Sequence, residues 1–275
     1  MKNSKKKLTK RSVTLLVIIG VLVAVLAGLI IYAAVLAKNE PEETLPPVTE
    51  APTEPSTEAP TETEETVPVE TIPIMLTKLA ELHEQNNDIY GWVRIDGTEI
   101  DYAHVYTPDD FDKYLHMDLE GNYSYAGAII MDQRCSLDPE SNNIILHGHN
   151  MKNGSMFAGI MGYLDKSFWE EHPTVYYANM NEEREYEVIA VFYDKVYKKT
   201  DDVFKFYEFT DPQTEEEFNE GIEYFKKKAF YDTGLTAEFG DRLLMLVTCS
   251  YHVDDGRLVV VAREVTEDAA VPPAE

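Results

Sequence analysis

Basic residues and cysteines are scarce in this sequence of 275 residues. It holds 24 Lys and Arg against 50 Asp and Glu, which gives a formal net charge of -26. A field of that sign makes nucleic acids and anionic lipid headgroups poor partners and attracts cationic ligands, although a solvated acidic surface is the simpler interpretation. The only two cysteines are Cys135 and Cys249. Pairing them would be the default expectation for a domain outside the cell.

Charge is absent from a long stretch near the N-terminus. Residues 1–12 contain six basic residues and no acid, and residues 13–37 contain no charged residue. This stretch is long enough to cross a hydrocarbon core of about 30 Å as a helix. Because basic residues precede it and acidic ones follow, we expect 1–12 in the cytoplasm and the rest outside. A cleaved signal peptide is disfavoured, since the apolar stretch exceeds the usual 7 to 15 or so residues.

The composition changes after residue 37. Residues 38–73 are rich in Pro, Thr and Glu and contain imperfect repeats such as TEAPTEPSTEAPTETEE. Such a segment cannot bury enough apolar surface to offset its ordering entropy, so it is predicted to be a disordered stalk. Residues 74–267 then form the folded extracellular domain, and residues 268–275 form a short disordered tail.

The folded domain is predicted to be mainly β. Helical spacing of apolar residues indicates a helix at 74–84, a further helix is expected at 214–230, and Asp96-Gly97 is the strongest hairpin signal. Many short strands with few helices favour a closed β-barrel. The predicted strands lie at 91–95, 99–105, 128–131, 144–147, 174–177, 186–193, 243–248 and 258–262, and short helices at 156–164 and 167–171.

Residues 242–263 carry the most informative pattern. An apolar run ends at Cys249, a polar turn with Asp254 and Asp255 follows, and a second apolar run begins at Arg257. Two such runs predict adjacent strands, with a thiol and a guanidinium at facing ends. A lone Cys in an apolar strand is more often part of the core, and Arg257 could simply form an ion pair with a neighbouring aspartate.

Two histidines supply a candidate base. His147 and His149 follow the predicted strand at 144–147. Spacing of i, i+2 places two rings on one face of a strand, where they could ligate zinc, whereas in a loop either could act as a base. His147, His149 and Cys249 together would supply three zinc ligands, so a metal site competes with a catalytic one.

Three separated motifs stand in order along the folded domain: GHNM at 148–151, TCSY at 248–251 and RLVVVAR at 257–263. They resemble those of the sortases, the cysteine transpeptidases of Gram-positive cell walls. The segment NNDIYGWVRIDGTEIDYAHV at 86–105 is similar to the start of the class B sortase domain, and the helix before the Cys249 strand corresponds to the insertion in class B. The resemblance covers residues 75–263 and implies a sortase barrel of about eight strands.

The resemblance implies roles for three residues. Cys249 would be the nucleophile, His149 the acid and base, and Arg257 the stabiliser of the oxyanion, with no cofactor and no metal. His149 is preferred to His147 because the catalytic His of the family directly follows the Gly of its GH motif. His147 and Val247 depart from the family, in which Tyr and Ser are frequent at these positions.

The implied activity is membrane-anchored transpeptidation. The enzyme would cleave a C-terminal sorting signal of the LPxTG or NPQTN kind after Thr, through a thioacyl-enzyme, and transfer the surface protein to an amine of peptidoglycan or its lipid-linked precursor. A permanent disulfide would abolish that chemistry, so both cysteines are predicted to be unpaired. The alternatives are an exported cysteine peptidase with the same Cys and His, and a non-catalytic zinc or binding module.

Overall fold

A computed structural model describes residues 74–266 of the chain. The predicted cytoplasmic tail, membrane helix, stalk and C-terminal tail lie outside these residues. Between residues 74 and 266, none of the helices combines the length and the apolar character needed to cross a membrane.

The predicted β-rich fold is confirmed, since residues 74–266 form eight strands and three α-helices. The helices are α1 (Ile74–Gln85), α2 (Lys166–Glu171) and α3 (Glu215–Lys228), with 3-10 helices at Gly159–Leu164 and Phe206–Glu208. The strands are β1 (Ile89–Arg94), β2 (Asp101–Val105), β3 (Ile129–Met131), β4 (Asn143–Gly148), β5 (Thr174–Ala178), β6 (Glu183–Lys195), β7 (Leu243–Cys249) and β8 (Gly256–Glu264).

The strands form a closed barrel in the order β1-β2-β3-β4-β7-β8-β6-β5. Most neighbours are antiparallel, but β2 pairs parallel with β3, and β4 pairs parallel with β7. The β1–β2 hairpin turns at the predicted position, where Gly97 adopts a φ of 77°. A positive φ costs glycine nothing, which explains the Asp96-Gly97 signal.

Two apolar clusters hold the barrel. The larger joins side chains of most strands with those of α3, and the smaller packs Leu79 of α1 against β1, β2 and β3. In α3, Phe218, Ile222 and Phe225 recur at i, i+4 and i+7 and are buried. The helix begins where the Thr214 hydroxyl accepts a hydrogen bond from the Glu217 amide, the usual role of an N-cap. Along the chain, α3 lies between β6 and β7. Its buried face packs on the barrel against β6.

Candidate active site

The parallel pair of β4 and β7 brings two distant parts of the chain to one place. Their register runs without a break from Asn143 opposite Leu243 to Gly148 opposite Thr248. Neighbouring strands lie about 4.8 Å apart, so His149, which follows β4, and Cys249, the last residue of β7, lie side by side. The Thr248 hydroxyl donates a hydrogen bond to the Gly148 carbonyl over 2.7 Å and ties the two strand ends together.

Cys249 ends β7 beside the start of β8. It lies directly opposite Arg257 in the antiparallel β7–β8 ladder. Its thiol is free and partly exposed, and its carbonyl accepts a 3.0 Å hydrogen bond from the Asn150 amide group. The sheet therefore presents a reachable thiol and a guanidinium on the same edge.

His149 is held from two directions by consecutive residues. Its Nε2–H donates to the Leu115 carbonyl over 2.9 Å, and its ring stacks on that of His116 at 5.6 Å and 6°. A ring nitrogen that donates to a carbonyl must carry the proton, so Nδ1 of the neutral ring keeps the lone pair. Nδ1 is therefore the nitrogen available to accept or deliver a proton.

Arg257 is oriented by the turn before it. One of its terminal nitrogens, Nη1, donates to the carbonyls of Asp255 and Gly256 at 3.2 and 2.9 Å. The alternative of an ion pair with Asp254 or Asp255 is wrong, because the described residues show only these backbone contacts. Nε and Nη2 have no partner within residues 74–266, and they remain available as donors.

The three predicted residues line one cleft with a volume of about 250 Å³. Within residues 74–266, the Cys249 thiol makes no hydrogen bond to His149 or Arg257. Nε2 of His149 and Nη1 of Arg257 are bound to backbone carbonyls instead. Catalytic hydrogen bonds are often loose without substrate and tighten when it binds. The cleft also includes apolar and polar side chains, among them Phe111, Leu115, Ala128, Ile130, Gln133, Val196, Phe206, Tyr207 and Val247.

The chain matches the family model described as the sortase domain over residues 93–265. It is 35% identical to the sortase B of Listeria monocytogenes over 192 residues, covering 69% of this chain and 75% of that protein. The chain belongs to the sortase family, within class B. The sortase B of Staphylococcus aureus is 29% identical over 190 residues, with 68% and 74% covered.

Solved structures agree with this assignment. The Bacillus anthracis sortase B in complex with AAEK1 superposes with a TM-score of 0.60 and 33% identity, covering 69% of this chain and 85% of that one. The Staphylococcus aureus sortase B–substrate complex gives a TM-score of 0.61 at 26% identity, with 70% and 87% covered. The sortase is therefore a cysteine transpeptidase with the expected eight-stranded barrel.

Part of the lining of the cleft in this sortase is polar and consists of Asp132, Arg134 and His147. Nε2 of His147 donates to the buried Asp132 carboxylate over 2.9 Å, and Arg134 reaches both carboxylate oxygens at 3.0 and 3.1 Å. Burial alone would raise the pKa of Asp132, but the hydrogen bond and charge of His147, with contacts from Arg134, lower it below its usual value. Asp132 thus stays ionised and fixes the side chains of His147 and Arg134 in the cleft.

The zinc alternative finds no support in the sortase. Residues 74–266 contain no group of three or more His, Cys, Asp or Glu placed to hold a metal ion. His147 is bound to Asp132, whereas His149 is bound to the Leu115 backbone. The rings have different partners and do not converge with Cys249 on one ion.

Cys135 of the sortase is a structural thiol. It is 3% exposed, and its sulfur lies 3.5 Å from the Ile145 amide, which donates to it. Burial raises the pKa of Cys135 to about 12, so it holds its proton at neutral pH. Both cysteines are free, as predicted.

Sequence reasoning missed four contacts of the site, three hydrogen bonds and one ring stack. Leu115 and His116 hold His149, Asn150 binds the Cys249 carbonyl, and Asp132 binds His147. Only Asn150 stood within a recognised motif, directly after His149. The others lie on irregular segments, where neither periodicity nor spacing indicates which side chain will reach the cleft.

Proposed function

We propose that this sortase cleaves a C-terminal sorting signal of the LPxTG or NPQTN kind after Thr and joins the new carboxyl end to an amine of peptidoglycan or its lipid-linked precursor. One observation carries the proposal. Cys249, His149 and Arg257 leave three neighbouring strands at the same edge of the barrel and line a single cleft. That set supplies a nucleophile, a proton carrier and an oxyanion donor.

Acylation begins with the Cys249 thiolate, because the thiolate is the attacking species. Its sulfur attacks the Thr carbonyl carbon, and the carbonyl electrons move onto oxygen. The Nε and Nη2 donors of Arg257 stabilise that oxyanion through charge-assisted hydrogen bonds. When the C–N bond breaks, protonated His149 delivers its Nδ1 proton to the departing amine. The products are a thioester on Cys249 and a free peptide.

Transfer reverses these roles with a different amine. The acceptor nitrogen attacks the thioester carbon and gives its proton to Nδ1 of His149. A C–N bond forms, the C–S bond breaks, and the sulfur leaves as the thiolate. Water can take the place of the amine, and it then yields a hydrolysed signal and no joined product. The competition between amine and water separates a transpeptidase from a peptidase.

We place the sortase at the cell membrane by its N-terminal sequence. The charge-free run at 13–37, with basic residues before it, supports a single-pass anchor with the catalytic domain outside. The Pro-, Thr- and Glu-rich residues 38–73 would serve as a stalk. Both proposed substrates occur at the outer membrane face, where the barrel would meet them.

The test is acyl transfer by the full-length chain. Fluorescent peptides with LPxTG-like or NPQTN-like motifs are mixed with the sortase, with and without an amine, and intact-mass spectrometry follows the protein and the products. We expect an acyl adduct on Cys249 that passes to the amine. Triglycine is a suitable first amine, because one solved sortase B structure is a complex with that peptide.

Cys135→Ala is the matched control for Cys249→Ala. Loss of the adduct in Cys249→Ala, with the adduct retained in Cys135→Ala, assigns the nucleophile. A wild-type adduct that gives hydrolysis alone at saturating amine would favour the peptidase. An adduct that survives in Cys249→Ala would contradict the proposed site.

A further inference from the structure

A row of parallel rings leads from the cleft to the surface. The ring of His149 stacks on His116 at 5.6 Å and 6°, and His116 stacks on Tyr125 at 5.8 Å and 14°. Tyr123 flanks His116 at 6.4 Å with a tilt of 42°. We call His116, Tyr123 and Tyr125 the aromatic row. It begins beside His149, the residue proposed to exchange a proton with the acceptor amine.

A small hairpin presents the aromatic row. Met117 and Tyr123 form an antiparallel bridge, and the Ser124 amide donates to the His116 carbonyl over 3.0 Å. Gly121 closes the turn with a φ of 84°. The row is therefore built into the local backbone, which fixes the three rings relative to one another.

The same segment is anchored beside the cleft. The Leu115 carbonyl accepts the hydrogen bond from His149, and the Ala128 amide donates to the Tyr114 carbonyl over 3.1 Å. The hairpin is thereby held at both of its ends. The aromatic row therefore starts next to two residues that line the cleft, Leu115 and His149.

The two tyrosines are unusually exposed for ordered rings. Tyr123 is 78% and Tyr125 is 71% exposed, and within residues 74–266 neither hydroxyl has a hydrogen-bond partner. Single exposed apolar residues are common, but a contiguous exposed group beside a cleft indicates an interaction site. Tyrosine serves well there, because it offers a large rigid ring at low entropic cost.

The surrounding charge is negative. Residues 109–120 contain five carboxylates, and Lys113 is the only Lys or Arg among them. Lys113 forms an ion pair with Asp88, so its charge is already matched. The segment thus attracts a positively charged ligand and repels an anionic one.

We propose that the aromatic row binds the acceptor, as an extended peptide whose free amine enters the cleft at His149. The inference rests on the proposed function, which requires an amine to reach Cys249. The peptide groups lie on the rings of Tyr125 and Tyr123. The acidic segment attracts the ammonium form, which loses one proton to solvent before the neutral amine attacks the thioester. The row thus selects peptide amines over small amines.

The length of the row sets the length of the acceptor. The two ring-to-ring steps from His149 to Tyr125 add up to about 11 Å, which is the longest distance that can separate the rings of His149 and Tyr125. An extended chain advances about 3.3 Å per residue, so about three residues suffice to reach from the amine at His149 to the ring of Tyr125. We expect an acceptor of one residue to fall short of that ring.

The experiment uses glycine amides of one to four residues, since glycine adds backbone alone. The full-length sortase is acylated with a donor peptide, and aminolysis of the thioester is followed at rising amide concentrations. We expect the second-order rate constant to rise roughly 3- to 10-fold from one residue to three, the size of effect that a ring contact or two provides. No comparable gain is expected from a fourth residue.

The double variant Tyr123→Ala/Tyr125→Ala removes both outer rings and keeps the Leu115 and His116 contacts to His149. It should abolish the gain with length and leave the acylation rate, and the reaction with hydroxylamine, within about twofold of wild type. Tyr251→Ala is the matched control, because Tyr251 is 86% exposed and lies outside the row. A gain that persists in the double variant, or that Tyr251→Ala also abolishes, overturns the proposal.

A binding measurement separates this inference from the proposed function. If the wild type forms no acyl adduct, the proposed function fails, and the row is tested by line broadening of triglycine amide proton signals in NMR. Broadening by the wild type that the double variant loses supports a peptide site at the row. Equal broadening by both proteins, or none by the wild type, overturns it.

Discussion

Arg257 owes its position to the backbone of its own turn. Asp255, at a φ of 57°, brings its carbonyl and that of Gly256 to Nη1 of Arg257. The side chain is therefore preorganised without a carboxylate partner. A salt bridge would have neutralised the charge that the oxyanion needs, whereas carbonyl acceptors orient the guanidinium and leave its charge intact.

Replacement of Arg257 by Gln should therefore lower kcat for acylation by roughly 10²- to 10³-fold, the effect of removing one oxyanion donor. The measurement is stopped-flow acylation with a fluorescent sorting peptide. Asp254→Asn is the matched control and should change the rate less than about twofold, because the carboxylate does not bind Arg257. Equal losses in both variants would show that the turn, and not the guanidinium, matters.

The sequence predicts the site residues that lie in motifs at strand ends. It does not predict the site residues on irregular segments. Cys249, His149 and Arg257 follow or begin apolar runs, so the pattern that predicts each strand also predicts where its end lies. Leu115 and His116 contact His149 only because the segment between β2 and β3 folds back over the cleft. The path of this segment depends on packing against residues far away in the sequence, and no local sequence pattern predicts such packing.

At the level of elements, the β4–β7 pair explains the Gly of the GH motif in physical terms. A Cβ at Gly148 would lie 2.6 Å from the ring of Phe157 and 2.7 Å from the Ile129 side chain. Both neighbours are fully buried and have no room to move. Glycine lets Phe157 pack directly on the strand that carries His149.

Gly148→Ala should therefore destabilise the domain by about 1 to 3 kcal/mol, the cost of overpacking a core, and slow acylation because β4 shifts. Chemical denaturation monitored by fluorescence gives the first quantity, and the adduct rate gives the second. Gly159→Ala is a milder comparison, since a Cβ there lies 3.2 Å from Ile100. A stable and fully active Gly148→Ala protein would refute this account of the motif.

The strands were predicted more accurately in position than in length. All eight lie where apolar runs indicate, but β6 extends from Glu183 to Lys195 and not from 186 to 193. Its additional residues are polar. Arg184 is buried there because it pairs with Glu140 at 2.6 Å and with Glu182. A hydrophobic pattern cannot detect a strand end that is stabilised by distant carboxylates.

At the scale of the whole molecule, the barrel encloses a histidine without a polar partner. His104 of β2 is fully buried and stacks on Tyr177 at 5.5 Å and 18°, and neither ring nitrogen has a hydrogen-bond partner. The sequence places His104 on a strand but cannot reveal this isolation. Because burial disfavours the charged form, the pKa of His104 falls to about 3.

This shift makes the fold sensitive to acid. The unfolded chain binds a proton at His104 below a pKa of 6.5, and the folded chain does so only below about 3. The stability that depends on neutral His104 is therefore fully present above pH 6.5, and it is lost progressively as the pH falls from 6.5 towards 3. At pH 5 the loss from this group is about 2 kcal/mol, at 1.36 kcal/mol per pKa unit.

His104→Phe should remove that part of the pH dependence, because an apolar ring at the same place cannot bind a proton. The free energy of unfolding, measured in urea at several values between pH 8 and 5, should fall by about 2 kcal/mol less in the variant than in the wild type. His172→Phe is the comparison, since His172 is partly exposed and bound to the Asp96 carbonyl. A loss of about 2 kcal/mol of the pH dependence in His172→Phe as well would contradict the assignment to His104. Parallel curves for wild type and His104→Phe would mean that another group, or water admitted to the barrel, carries the acid sensitivity.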